Sequence, residues 1–341
     1  MSETSQTLPE TLTSTVDALS DLLGTMHLSG SVMFRAECSE PWSVATPDAC
    51  QLGGVLPVRS QHVVPFHIIA SGGCWLALSE GSDPVWLEEG DAVLLPYGDS
   101  HLLKGTATAS TVPIAALLPP TPWASAPFVL RVGGAGPFTN VICGFVQCDE
   151  LLFHPVLRHL PPLIHVRTAT IPADGWLAST IRHIAAEVTH DAPGARSMLP
   201  RLCEVLFVEI LRKHMLGLSA SEVGWFAALK DPVAGAALRR LHADPLRDWS
   251  VVRLASEIGV SRSVLAKRFK HFLAQPPMQY LAAWRLQLAA QRMKASDLPM
   301  KTIADASGYE SEPAFNRAFK RHFGLPPGTW RRQQGPQPAL R

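Results

Sequence analysis

The sequence contains no apolar run near the roughly 20 consecutive residues that a membrane-spanning helix needs. Its opening stretch, Met1 to Glu10, is polar rather than basic and followed by apolar residues. A membrane span and a secretion leader are therefore not expected, and a cytoplasmic chain is. Cysteine is sparse: Cys38, Cys50, Cys74, Cys143, Cys148 and Cys203 stand singly, with no C-x-x-C pair. That excludes a zinc ribbon and a compact disulfide framework, and it leaves reduced thiols as the expectation. Charge is also scarce, at 17% of residues against 47% apolar ones. A chain of that composition buries enough apolar surface to offset its ordering entropy, so disorder is excluded as its main state. Its 341 residues suffice for two or three domains.

The net charge of +1 conceals a division. Residues 1–244 hold 14 Lys and Arg against 23 Asp and Glu, a balance of −9, whereas residues 245–341 hold 16 against 6, a balance of +10. The last hundred residues are thus suited to a polyanion, and nucleic acid is the expected one. In the acidic part, Val63–Ala70, Cys74–Leu78 and Ala92–Leu95 are short apolar runs separated by turn residues such as Gly72-Gly73 and Glu89-Gly90-Asp91. This spacing predicts an antiparallel sandwich or barrel, which Val141–Val146 would close. From Asp174, expected as an N-cap, a 3.6-residue period begins. Trp176, Leu177, Ile181, Ile184 and Val188 form one stripe, and a second helix runs through Leu199, Leu206 and Ile210 to Met215. The second helix is apolar on more than one side, which suits a homodimer interface as well as an intramolecular hairpin.

The C-terminal hundred residues repeat internally. Leu254-Ala255, Gly259, Leu265, Phe269-Lys270 and Pro276-Pro277 match Ile303-Ala304, Gly308, Phe315, Phe319-Lys320 and Pro326-Pro327. Each copy reads as a short helix, a glycine-opened turn, a serine able to cap (Ser261, Ser311) and a second amphipathic helix: two helix-turn-helix units. Met278 to Lys294 between them has the length of a rigid spacer helix, with Tyr280, Leu281, Trp284, Leu288 and Met293 facing inward. In such a unit the second helix presents its N-terminal residues to base edges in the major groove, while surrounding cations hold phosphates. With Leu265, Phe269, Phe315 and Phe319 in the core, helical phase turns the reading faces outward. Lys267 and Arg317, at equivalent positions, are the first candidates for base reading, with Ser263, Glu312 and Asn316 beside them. Arg262, Lys270, Lys320 and Arg321 are assigned to phosphates.

Several of these residues belong to a larger pattern. The runs Asp231-Pro232, Ala237-Leu238, His242-Ala-Asp-Pro245 and Trp249-Ser250 precede the first repeat. Arg285-Leu286 and Ala289-Ala290 lie between the copies, and Gly308-Tyr309 and Phe323-Gly324 lie in the second. Over roughly residues 230–332 the chain resembles the AraC/XylS-type transcription regulators. The resemblance implies a seven-helix DNA-binding domain whose two reading helices dock in successive major grooves of double-stranded DNA, with RNA polymerase as a further partner. Ala266 stands where many members carry a longer polar side chain, so the first unit is expected to read fewer bases than the second.

The run Gly90-x5-Pro96-x-Gly98-x2-His101 fits the second sequence motif of cupins. The first motif is represented only by Gln61-His-Val-Val-Pro-Phe-His67, without its glutamate. His67 and His101 are the candidates for a metal or effector site, although a mononuclear metal usually wants three or more protein ligands, and no cofactor is expected. The N-terminal region as a whole is similar to the cupin sensor of a subgroup of AraC-type regulators, some of which respond to oxidants through cysteines. The resemblance makes Cys143 of Ile142-Cys-Gly144 the matching thiol and Cys38 the nearest candidate for a second. A small organic effector in the barrel is the competing idea.

The architecture expected is therefore α+β and multidomain. A cupin-like β-barrel sensor spans residues 1–165, a helical linker or dimerisation segment 166–228, an all-α domain with two helix-turn-helix units 229–334, and a tail 335–341. The function expected is a sequence-specific DNA-binding regulator, not an enzyme, whose cupin domain senses an oxidant or small effector. The alternative is a metal-dependent cupin enzyme with an appended DNA-binding module.

Overall fold

The short apolar runs between turn residues become strands in the computed structural model, which describes residues 18–21, 23, 28–51, 62–78, 83–119, 127–148, 159–168, 175–190, 193–219 and 221–334. The chain divides into two compact units, one formed by His27–Phe153 with Leu160–Leu218, the other by Met1–Met26, His154–His159 and Ser219–Arg341.

In the first unit, β1 (Ser29–Ser39), β3 (His62–Ser71), β6 (Ala92–Leu94), β9 (Phe128–Gly133), β10 (Phe138–Cys148) and β11 (Ile164–Val166) make a six-stranded sheet ordered β11-β6-β3-β10-β1-β9. A second sheet, ordered β5-β4-β7-β2-β8, contains β2 (Ser43–Thr46), β4 (Gly73–Leu78), β5 (Val85–Glu88), β7 (His101–Lys104) and β8 (Val112–Pro113). Most pairings are antiparallel as expected, but β1 with β9 and β2 with β8 run parallel. Both sheets contribute to one core, including Phe34, Trp42, Ile69, Leu76, Leu103 and Phe145.

Strand β3 is buried on both faces, which explains why it reads as a continuous apolar run rather than an alternating one. Its outer side and that of β1 face two helices, α1 (Trp176–His190) and α2 (Ala195–Gly217), which belong to the same compact unit. Helix α2 approaches β1 so closely that a Cβ on Gly30 would lie 2.3 Å from the Cβ of Cys203. On α1, Leu177, Ile181 and Ile184 are buried as their spacing predicts, and Val188 is half-buried. Trp176 departs from the stripe: it is 77% exposed, because it is the first residue of the helix and Leu177 carries the contact in that turn. Asp174 lies outside the described residues.

The second unit is helical. After α3 (Trp225–Lys230), seven helices follow: α4 (Pro232–Ala243), α5 (Val251–Glu257), α6 (Arg262–Leu273), α7 (Pro277–Ala295), α8 (Met300–Asp305), α9 (Glu312–Phe323) and α10 (Pro327–Gln334). Helices α5 and α6 form the first helix-turn-helix, α8 and α9 the second. Gly259 and Gly308 take φ of 71° and 76°, the left-handed region in which a side chain is disfavoured, and this allows each turn. Ser261 accepts from the Val264 N–H at 3.2 Å and Ser311 from the Ala314 N–H at 3.4 Å, so both reading helices carry the expected caps. The spacer α7 buries Tyr280, Leu281, Trp284 and Met293, whereas Leu288 is only half-buried. Leu286, Ala289 and Ala290 are buried as well, since α8, α9 and α10 pack on this helix and Phe269 of α6 meets Tyr280 edge to face at 5.7 Å.

Candidate nucleic-acid interface and thiol site

The cores of the two reading helices orient their surfaces. Leu265 and Phe269 in α6, and Phe315 and Phe319 in α9, have no exposed area. Opposite them, Arg262, Ser263, Lys267 and Lys270 on α6 are exposed, as are Arg317, Lys320 and Arg321 on α9. Ser263 shares its hydroxyl with the capping Ser261 at 2.9 Å. Glu312, in the first turn of α9, is half-buried, and so is Asn316, whose Oδ1 is buried without a hydrogen-bond partner among the described residues. Asn316 thus departs from the outward position that helical phase predicts for it. Arg321 lies at the edge of the reading face and also lines a groove beside α7.

Sequence reasoning did not find the arginines that hold the units together. Arg268 belongs to α6 but bonds to Asp231, whose carboxylate also caps α4 by accepting from the N–H groups of Val233 and Ala234 at 3.1 and 2.7 Å. On α7, Arg285 donates to the carbonyls of Pro245 and Arg247 at 2.6 and 2.9 Å, before the first unit, and Arg292 donates to the carbonyl of Ala306 in the second. The spacer is therefore fastened at both ends. The signal was present as Arg285-Leu286, but helical spacing could not supply the partners.

In the sheet unit, His67 on β3 stands directly opposite Cys143 on β10, and His101 opens β7 in the other sheet. The two histidines meet across the core with Nε2 to Nε2 at 2.8 Å, and His67 Nδ1 lies 3.1 Å from Cys143 Sγ. His101 Nδ1 is 3.0 Å from the carbonyl oxygen of Asp99. A carbonyl only accepts, which assigns every proton in the row. His101 donates from Nδ1 to Asp99 and accepts at Nε2 from His67, and His67 Nδ1 accepts the thiol proton of Cys143. Burial raises the Cys143 thiol well above its ordinary range, with the thiols of Cys38 and Cys74 adding to the rise. Burial and the neighbouring His101 hold His67 well below the usual histidine value, and burial also lowers His101. The resting row is therefore a neutral thiol and two neutral imidazoles, with a base at contact distance from sulfur.

The Nε2 atoms of the two imidazoles face each other, so the pair supplies two ring nitrogens where a mononuclear site usually wants three or more protein ligands. Among the described residues, no group of three or more His, Cys, Asp or Glu side chains could hold an ion. The donor set does not fit a metal. Beside Cys143 and His67 lies a cavity of only about 30 Å³, also lined by Cys38, Trp42, Phe34 and Leu130. It has room for one or two water-sized molecules, well short of the several hundred Å³ typical of organic-ligand sites. The Trp42 indole N–H in this wall is buried and unbonded among the described residues. Burial pushes the Cys38 thiol up to about 12. Cys38 pairs with Thr139, whereas Cys143 pairs with Phe34, so the two cysteines lie four strand positions apart. By the strand rise that is about 13 Å, beyond the separation of about 7 Å that a disulfide spans.

Comparison with known proteins adds the context of this geometry. Residues 17–216 match a family described as Cupin, a span that runs through both α1 and α2, and residues 254–333 match a helix-turn-helix domain family. A putative AraC-like transcription regulator of Streptomyces lividans is 34% identical over 82% of this chain and 91% of its own. The HTH-type transcriptional regulator AlkR of Acinetobacter baylyi is 29% identical over 93% of this chain and 100% of its own. The RCS-specific HTH-type transcriptional activator RclR of Escherichia coli is 26% identical over 79% and 84% respectively.

Proposed function

The chain belongs to the AraC-like transcription regulators that join a cupin domain to a helix-turn-helix domain, and from that premise we propose that a small oxidant reacting at Cys143 changes how it occupies DNA. It is a DNA-binding regulator, and its relatives are regulators rather than enzymes. A metal-dependent cupin enzyme has no support in the residues that line the core.

In this reading, Lys267 and Arg317 read base edges, with Ser263, Glu312 and Asn316 as neighbours of lesser reach, and Arg262, Lys270, Lys320 and Arg321 hold phosphates. The sensor spans residues 1–165, the helical segment 166–228 and the DNA-binding domain 229–334. Two copies pair in the cytoplasm through α2, whose Met198, Val205 and Leu216 remain exposed, and the DNA-bound dimer engages RNA polymerase.

The observation that carries the oxidant reading is a 30 Å³ cavity bounded by a thiol and its hydrogen-bonded base. It is too small for an organic effector and large enough for a reactant of two heavy atoms. The relative whose name declares it RCS-specific favours the same class of reactant. With hypochlorous acid, sulfur loses two electrons and chlorine gains them. An S–O bond forms, chloride leaves, and the thiol proton passes to His67 Nδ1, giving a sulfenic acid. Cys38 lies beyond disulfide distance along the strand, so the sulfenic acid of Cys143 is not resolved by Cys38 in this reading. The product places a polar oxygen in this cavity against the apolar side chains of Phe34 and Leu130, and the resulting repacking biases the dimer between two arrangements on DNA.

The test is footprinting on DNA upstream of the protein's own gene, in reducing buffer and after mild hypochlorite, with Cys143→Ser in parallel. Protection that changes on oxidation only when Cys143 is present is expected. Protection indifferent to oxidant would remove the oxidant reading and leave DNA binding intact.

A further inference from the structure

The helical unit contains a groove of about 360 Å³ along α7, within the size range of small-molecule sites. Its apolar floor combines the small side chains Ala282 and Ala283 on α7 and Ala318 on α9 with Leu286, Trp225 and Tyr280. His159 and His322 also line it. The alanines leave the space that longer side chains would fill. Two amides, Gln275 and Gln279, line its polar side, and Arg321 of the second reading helix completes it. Arg321 is the one permanent charge among the described lining residues, and no carboxylate lines the groove among them. An apolar floor with a guanidinium and two amides suits a small organic anion. The guanidinium grips a carboxylate, sulfonate or phosphate through paired N–H donors, and the floor receives an apolar body.

The walls come from both halves of the DNA-binding unit. Leu273 ends α6, the first reading helix, and Gln275 follows it, while Ala318 and Arg321 belong to α9, the second, with the spacer α7 between. We propose that this groove is a regulatory site for a small organic anion whose acid group is held by Arg321 and whose binding competes with DNA. Arg321 cannot serve a guest and a DNA phosphate at once. The competition rests on the phosphate role assigned to Arg321 above, whereas the site itself rests on the groove and its charge alone.

The test uses the full-length protein and 8-anilino-1-naphthalenesulfonate, a fluorescent organic anion with an apolar body. Ala283→Trp fills the floor, Ala318→Leu does so more mildly in case the first variant fails to fold, and Arg321→Gln removes the charge. Circular dichroism and thermal melts establish which variants are folded. Saturable binding in the wild type is expected, weakened more than tenfold by a folded floor variant. In Arg321→Gln it should weaken about tenfold, the size of a lost charge-assisted hydrogen bond. At saturating probe, DNA affinity should fall in the wild type and not in the floor variant. No binding, or binding unchanged in both fillers, overturns the site and leaves the groove to a protein partner. Localised binding without any effect on DNA supports the site, overturns the competition, and removes Arg321 from the phosphate contacts.

Discussion

Acidification from pH 7.5 to 5.0 should weaken the helical unit by about 2 kcal/mol through one residue, His242. Its imidazole is buried, with Nε2 2.8 Å from Tyr280 Oη, which also accepts from Trp225 Nε1 at 2.8 Å. Nδ1 is buried and finds no hydrogen-bond partner among the described residues. With Tyr280 accepting from Trp225 and donating to Nε2, the proton of an imidazolium would arrive at the nitrogen that accepts this bond and place a charge among buried groups, and burial lowers the pKa from the ordinary 6.5 to about 4. The sign follows from proton counting. Below pH 6.5 the unfolded chain binds a proton that the folded one refuses, so stability is complete above 6.5 and is lost as pH falls from there toward 4. At pH 5.0 the loss through this residue is about 2 kcal/mol, and at pH 7.5 it is close to zero. Urea melts followed by far-ultraviolet circular dichroism at both pH values check this in the wild type and in His242→Gln. The variant should lose about 2 kcal/mol less on acidification, whatever its stability at pH 7.5, because His67 and His101 are present in both proteins. Equal losses in the two proteins would refute the assignment.

Ala274, which ends the first reading helix at φ 55°, occupies the conformation that Gly324 takes at the end of the second. Ala274→Gly should therefore raise stability by about 0.5–1 kcal/mol, relieving the left-handed cost net of glycine's greater freedom when unfolded, and a lowered thermal midpoint would contradict this. Arg317→Ala should cost roughly 1–3 kcal/mol on the specific site and relax its preference there. An equal loss on every DNA sequence in a competition assay would end its base-reading role. Lys320→Ala should weaken all DNA about equally and lower the salt slope by about one unit, and an unchanged slope would exclude it from the phosphate contacts.

Local rules make the DNA-binding domain legible in the sequence. The glycines of the two turns, the capping serines and the paired core residues Leu265 and Phe269, Phe315 and Phe319 act within one or two helical turns, where spacing alone determines direction. The same rules misplaced residues at the ends and flanks of elements. Trp176 has the period of a core residue but begins its helix too early to reach the sheet, and Asn316 has the phase of a reader but is half enclosed. Helical phase specifies an angle, whereas burial also depends on what neighbouring elements cover.

By itself the sequence determined that the chain carries two basic helix-turn-helix units after an acidic β-rich region, because charge, repeat and periodicity are properties of the chain. It also nominated Cys143, His67 and His101, without their order or their protons. Only the tertiary structure decided that His67 stands between the other two, since His67 and Cys143 are 76 residues apart and meet through strand register, while His67 and His101 meet across two sheets. Likewise, only packing decided that Arg268 turns to Asp231 while Lys267 beside it faces solvent. The physical reason is the same in each case. A side chain's type limits which bonds it can make, and the partner is chosen by chain segments far away in sequence that the fold brings within 3 Å or so.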